Sequence, residues 1–235
     1  MIKKIGACKE YDSSGKIQFE GEFLNDKKNG KCKEYISGKL LFEGEYLNDK
    51  KNGKCKEYYE NGQIKFQGEY LNGKKWKGKG YDKDKNIIYI LNNGSGFMKE
   101  LDCNDKLKFE GLYLNGKRNG LGRVYEYNNS LIYEGEFLYG NKHGKGKEYN
   151  LDGDLIFEGE FLYNYRVEGK AYINERLEYE GEYLFDRKYN GIGYDENGNI
   201  IYVLINGNGK VKEYYNGKLV FEGEYINGKK VEKKI

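Results

Sequence analysis

The chain of 235 residues contains no proline, one histidine, one tryptophan and four cysteines. Without proline, nothing interrupts a strand from within and no Pro-rich linker is present. A single histidine, His143, leaves a Ser–His–Asp or Cys–His constellation only one place to form. No stretch approaches the roughly 20 apolar residues of a membrane-spanning helix. Met1 to Cys8 imitates a lipoprotein leader in miniature, but its apolar run falls short of the about 7–15 residues of a signal core. Neither sign of charge predominates. The 41 basic and 38 acidic residues leave +3, without the strongly basic stripe of a nucleic-acid binder, so no nucleic-acid partner is expected. The basic C-terminal run of Lys229, Lys230, Lys233 and Lys234 reads as a solvated end.

What the chain has in quantity is aromatic residue and glycine. With 37% hydrophobic and 34% charged residues the composition borders on that of disordered chains, but 25 Tyr, 11 Phe and 1 Trp exclude that class. The aromatics are regularly spaced. A phrase of the form Phe-Glu-Gly-Glu-(Phe/Tyr)-Leu-Asn starts at Phe19, Phe42, Phe66, Phe109, Tyr133, Phe157, Tyr179 and Phe221. A fixed period of this length signals stacked supersecondary units. The two double-length steps, 66 to 109 and 179 to 221, each enclose a degenerate unit, Asn86 to Gly96 and Asn199 to Gly209. With Tyr89 and Tyr202 in the Phe slot, ten units result, in two matched sets of five offset by about 113 residues. The expected organisation is one array over residues 1–235: a partial unit at 1–18, a block at 19–132 and a duplicated block at 133–235.

Within one unit, Phe42-Glu43-Gly44-Glu45-Tyr46 alternates with period two and reads as a strand. Asn48 to Gly53 reads as the turn, Lys54 to Tyr58 as the return strand, and Asn61-Gly62 as the turn into the next unit. The expected fold is all-β: an elongated single-layer solenoid of β-hairpins, roughly 95 Å long at about 4.8 Å per strand. The glycine between the two aromatics implies a close visitor at its backbone. One ring ladder would hold the Phe slots. A second would hold Tyr11, Tyr35, Tyr58, Tyr81, Tyr125, Tyr149, Tyr172, Tyr194 and Tyr214. Glu and Lys of facing strands are expected to pair across each hairpin.

These residues resemble the MORN repeat family (membrane occupation and recognition nexus), most closely in Tyr133-Glu134-Gly135-Glu136-Phe137 and Asn141-Lys142-His143-Gly144-Lys145-Gly146. The Leu-Asn after the second aromatic and the Lys-Glu-Tyr of the return strand are similar to the looser variant in bacterial YwqK-type antitoxin-like proteins. The resemblance implies a scaffold that binds partner proteins, self-associates, or tethers assemblies near membranes.

The remaining candidates for chemistry are few. Cys8, Cys32 and Cys55 recur in one slot that later units fill with Gly122, Gly146 and Gly169. Equivalent slots two strands apart lie about 10 Å from one another, too far for a shared zinc or a disulfide. Cys103 reads as a free thiol in a turn, and His143 occupies a turn position that is Asn29, Asn52 or Asn119 elsewhere. The repeated Glu-Gly-Glu reads as a solvated stripe rather than an acid/base pair, and Gly207-Asn208-Gly209 as a hairpin turn rather than a phosphate loop. No catalytic, metal or cofactor residue is expected, and the chain does not read as an enzyme. Trp76, flanked by lysines, and its counterpart Tyr189 suit a partner or membrane-interface contact, or a packing role at an irregular turn. Tyr89 and Tyr202 at the two irregular units, and Tyr35, Tyr58 and Tyr149 of the second ladder, complete the candidate partner-binding set. The expected partner is a protein helix or extended peptide lying on the aromatic and glycine surface, with self-association through open edges. A peripheral membrane tether and an antitoxin or immunity role are the alternatives. The expected location is cytoplasmic, or associated with cytoskeleton or membrane.

Overall fold

The computed structural model describes residues 3–102, 104–127, 129–215 and 218–231, so Cys103, Lys233 and Lys234 lie outside the described residues. Among the described residues every regular element is a strand. Eight strands, Gly6–Tyr11 through Ile87–Leu91, pair antiparallel with their neighbours in chain order; ten more, Gly96–Leu101 through Ile200–Leu204, form a second sheet, and the last three, Gly209–Tyr215 to Lys229–Val231, a third. By compactness the chain divides into two units: Met1–Lys99 with Leu112–Lys117, and Glu100–Gly111 with Arg118–Ile235.

The hairpin Lys39–Leu47 and Lys50–Tyr58 shows how the repeat folds. Phe42 stands opposite Glu57, Glu43 opposite Lys56, and Gly44 opposite Cys55. The turn is shorter than the expected Asn48 to Gly53. Only Asn48 and Asp49 turn, at φ 49° and 67°, and Lys50 already belongs to the return strand. Two successive residues at positive φ make a turn whose twist matches the flanking strands, and Asn is the residue that accepts it. The extra length is absorbed by a bulge between Gly44 and Tyr46, faced by Gly53 at φ 91°. At the opposite end of the hairpins the connections are capped by side chains. Asp12 Oδ1 accepts the N–H of Ser14 and of Lys16, and Asp82, Asp102, Asn150 and Asp195 repeat the arrangement.

A single-layer sheet has no second layer to cover its rings, yet Phe42, Phe66, Phe109, Tyr133, Phe157 and Tyr179 are at most 1% exposed. Their covering comes from within the repeat. Phe42, Phe66, Tyr133, Phe157 and Tyr179 each meet the second aromatic of their own repeat edge-on, as Phe42 does Tyr46 at 5.6 Å, and Phe109 meets Phe137 of the next repeat at 5.3 Å. A basic side chain of the return strand then lies over it: Lys28 over Phe19 at 4.0 Å, Lys51 over Phe42 at 3.8 Å, Arg118 over Phe109 at 4.1 Å and Arg166 over Phe157 at 4.4 Å. The aliphatic stem supplies apolar cover while the charge sits over the ring face, worth about 0.5–2 kcal/mol each. A glutamate holds each cation in place. Glu34 lies 3.3 Å from Lys28 and 3.1 Å from Lys51, Glu57 2.7 Å from Lys75, and Glu148 2.5 Å from Lys142 and 2.6 Å from Arg166.

The two short units are equivalent in structure. Tyr89 stands opposite Gly80 and Tyr202 opposite Gly193, both buried in the Phe slot. Their rings stack near-parallel on Phe66 and Tyr179, at 6.3 and 6.4 Å, where the regular units are edge-to-face. The short units lack a second aromatic to interpose, so successive slot rings meet directly.

Candidate partner-binding groove

The period-two alternation that turns Phe19, Gly21 and Phe23 toward the covered face turns Glu20 and Glu22 the other way. On that other face of the first unit runs a groove of about 1120 Å³ that crosses seven strands from Ala7 to Tyr81. Its floor is backbone at Gly21, Gly44, Gly68 and Gly78. On the opposite, ring-bearing side these strands leave no room for a methyl group: a Cβ on Gly68 would stand 2.0 Å from the Lys77 carbonyl oxygen and 2.8 Å from the Phe66 Cζ.

Charge in the groove is striped. In register across the strands stand Lys9, Glu20, Lys33, Glu43, Lys56, Gln67 and Lys79, one per strand. A second row of Lys31, Glu45, Lys54, Glu69 and Lys77 runs beside it. Glu20 is 3.5 Å from Lys9 and 3.6 Å from Lys33, and Glu43 3.5 Å from Lys56. These pairs are half-exposed and hold little energy, about 0–1 kcal/mol each; what they fix is the sign of charge on each strand.

Tyr35 and Tyr58 lie on this face, where their hydroxyls donate to Glu20 at 2.8 Å and Glu43 at 2.6 Å. Tyr149 does the same with Glu134 in the second unit, at 2.8 Å. Burial and the neighbouring carboxylate push these three phenols up to about 12, so none exchanges a proton near neutrality. Tyrosine hydrogen bonds, with smaller contributions from lysines, hold Glu20 and Glu43 below the usual carboxylate value. Both carboxylates are therefore ionised and serve as fixed charges.

The MORN repeat model matches residues 19–38, 109–129 and 133–155, and the MORN repeat variant model matches residues 4–25 and 51–72. This is a MORN-repeat protein. A search of curated proteins finds no match to the chain.

The other candidates of the MORN array are placed as follows. Trp76 packs on the turn of the short unit: its carbonyl accepts the Gly94 N–H at 2.5 Å, and a Cβ on Gly94 would meet its ring at 2.7 Å. Tyr189 accepts the Gly207 N–H in the same way at 2.7 Å. Tyr89 and Tyr202 are buried, and their hydroxyls accept from Lys75 at 3.1 Å and Lys188 at 3.0 Å. Trp76 and Tyr89 do not line the groove, which Tyr35 and Tyr58 adjoin; Tyr189 and Tyr202 belong to the second unit. His143 lies in the strand Asn141–Tyr149 rather than in a turn, its ring edge-on to Tyr163 at 5.5 Å. Asn52 and Asn119, in the same slot, instead accept the N–H of the next tip, from Asn72 and Tyr139.

Cys32 and Cys55 are buried, and Cys8, Cys32 and Cys55 are free thiols. Burial pushes the Cys32 thiol up and the Cys55 thiol up to about 12, so neither is a nucleophile at neutral pH. Among the described residues no three His, Cys, Asp or Glu side chains cluster as metal ligands. The expected ligand surface of rings and glycine is also divided between faces, since the slot rings lie beneath Lys and Glu while the glycine floor faces the groove. Sequence reasoning paired Glu with Lys across each hairpin but missed the striping. The signal was present: Glu-x-Glu on outgoing strands and Lys-x-Lys on return strands put one sign on each strand.

Proposed function

We propose that this MORN-repeat protein is a non-enzymatic scaffold whose first unit holds a helical segment of a partner protein in the striped groove. MORN repeats are commonly protein- or membrane-binding modules. The alternation of charge from strand to strand carries the reading. A ligand lying across the strands meets the same sign every second strand, about 9.6 Å apart. Like positions on an α-helix recur every seven residues, about 10.5 Å, whereas an extended segment turns the same face every about 6.8 Å and falls out of step. Helical segments with acidic and basic positions alternating within each heptad therefore fit best.

Affinity purification with the full chain and with a Lys33→Gln/Lys56→Gln variant tests this. Both lysines are half-exposed and Gln already occupies the row at position 67, so the fold should survive. The expected result is that a partner retained by the parent chain is lost from the variant. Identical sets of captured proteins from both would overturn the reading.

A further inference from the structure

Three hairpin tips of the second unit carry aromatic residues where the matching tips of the first carry asparagine; Asn206 and Asn227 keep asparagine. Asn25, Asn48 and Asn72 open their turns at φ 52°, 49° and 51°; Tyr139, Tyr163 and Phe185 open theirs at 53°, 49° and 50°. The backbone is the same, and it is a conformation that suits Asn and is an outlier for a bulky side chain. Burial gives no compensation, because the three rings are 63%, 52% and 68% exposed. Tyr165, 48% exposed, stands edge-on to Phe185 at 5.6 Å and widens the band. The tips are tied in succession. The Gly140 N–H donates to the Arg118 carbonyl at 2.9 Å, the Asn164 N–H to the Lys142 carbonyl at 3.0 Å, and the Arg166 N–H to Asp186 Oδ1 at 2.8 Å. The second unit thus presents a row of largely exposed rings at a backbone conformation their side chains disfavour.

We propose that this row binds a polyproline-II segment of a partner protein. Successive tips are separated by two strands, about 9.6 Å. One turn of a polyproline-II helix advances three residues, about 9.3 Å, so every third residue meets a new ring. Exposed Tyr and Phe are the surfaces on which proline rings pack, and such a ligand is already ordered before it binds. This chain contains no proline, so the segment comes from another protein rather than a second copy.

The test is fluorescence anisotropy with a labelled peptide of twelve prolines, titrated with the full chain. A Gly-Ser peptide of equal length is the control. The expected result is saturable binding of the proline peptide alone, weakened about tenfold or more by Tyr139→Asn/Tyr163→Asn/Phe185→Asn. That variant restores the residue the first unit uses at the same φ, so its thermal midpoint should hold or rise. Absence of saturable binding, equal binding of the Gly-Ser peptide, or unchanged affinity in the variant would overturn the proposal. So would the alternative occupants: flotation of the parent chain but not the variant with phosphatidylcholine vesicles, or a dimer in sedimentation velocity that the variant abolishes.

Discussion

The two units of the molecule follow one plan and differ in two slots. Both lay a cation over each slot ring, both clamp that cation with a glutamate, from the return strand at Lys51 and Arg166 and from the outgoing strand at Lys188, and both turn their hairpins on two residues at positive φ. They differ where a return strand crosses the central glycine and at the hairpin tips. The first unit sets Cys32 and Cys55 against Gly21 and Gly44, whereas the second sets Gly146 and Gly169 against Gly135 and Gly159. In the second unit the ring tip fills the space a side chain would take. A Cβ on Gly146 would meet the Tyr133 hydroxyl at 2.5 Å, and one on Gly169 the Phe157 Cζ at 2.7 Å. The return-strand slot is therefore set by packing in each unit, whereas the exposed tips differ without a packing demand of that kind.

The largest effect expected is at a glycine both units share. Gly159→Ala would place a Cβ 2.1 Å from the Glu168 carbonyl oxygen, and Gly68→Ala meets the same obstruction. Each should lower stability by about 3 kcal/mol in urea unfolding, as overpacking against backbone does. A cost below about 1 kcal/mol in one unit only would break the equivalence.

Next comes the covering layer. Lys75→Met keeps the stem over Phe66 but strands Glu57, whose side chain is 16% exposed, and should cost about 2–4 kcal/mol. The same layer sets the acid limit. Burial would raise Glu34, Glu57, Glu148 and Glu213, but nearby cations, helped by tyrosine hydroxyls at all except Glu148, outweigh it and hold them below their ordinary 4.5. A lowered folded value means stability present above pH 4.5 and lost as pH falls from there through the folded values. Thermal midpoints should be level through mildly acidic pH and fall below about 4.5. Lys75→Met should flatten that fall, since Glu57 then loses the cation that lowers it.

Exchanging the tips should give smaller and opposite changes. Asn48→Tyr in the first unit should cost about 1 kcal/mol, and Tyr163→Asn in the second should return a similar amount, read as shifts in urea midpoint. The smallest expected effect is chemical. In native protein at pH 7.5 a thiol reagent should label Cys8, which is half-exposed, well ahead of Cys32 and Cys55, and the difference should vanish on unfolding.

Much of this was legible in the chain. The period located each hairpin, and the Glu-Gly-Glu alternation assigned the two faces. The matched irregularities at Tyr89 and Tyr202 indicated equivalent short units, which the stacked rings show them to be. The turn length was misread, because Lys50 to Gly53 have turn-like composition yet form a bulged strand. Of the candidate contacts, Tyr35 and Tyr58 adjoin the groove, and Trp76 and Tyr189 sit at the turns of the short units. The tip aromatics escaped notice because a tyrosine in a Tyr-rich repeat stands out only when its φ is known.

Sequence alone determined the hairpin repeat, its ten units and the sign of charge on each strand, because alternation and period are local properties. The tertiary structure decided which groups meet across strands: that Lys28, Lys51 and Lys75 become the missing second layer, that Glu20 and Glu43 line an open groove while Glu34 and Glu57 clamp buried cations, and that three exposed rings occupy strained tips. Those outcomes depend on register between paired strands, which brings Lys51 over Phe42 within one hairpin and Glu34 onto Lys51 between successive ones.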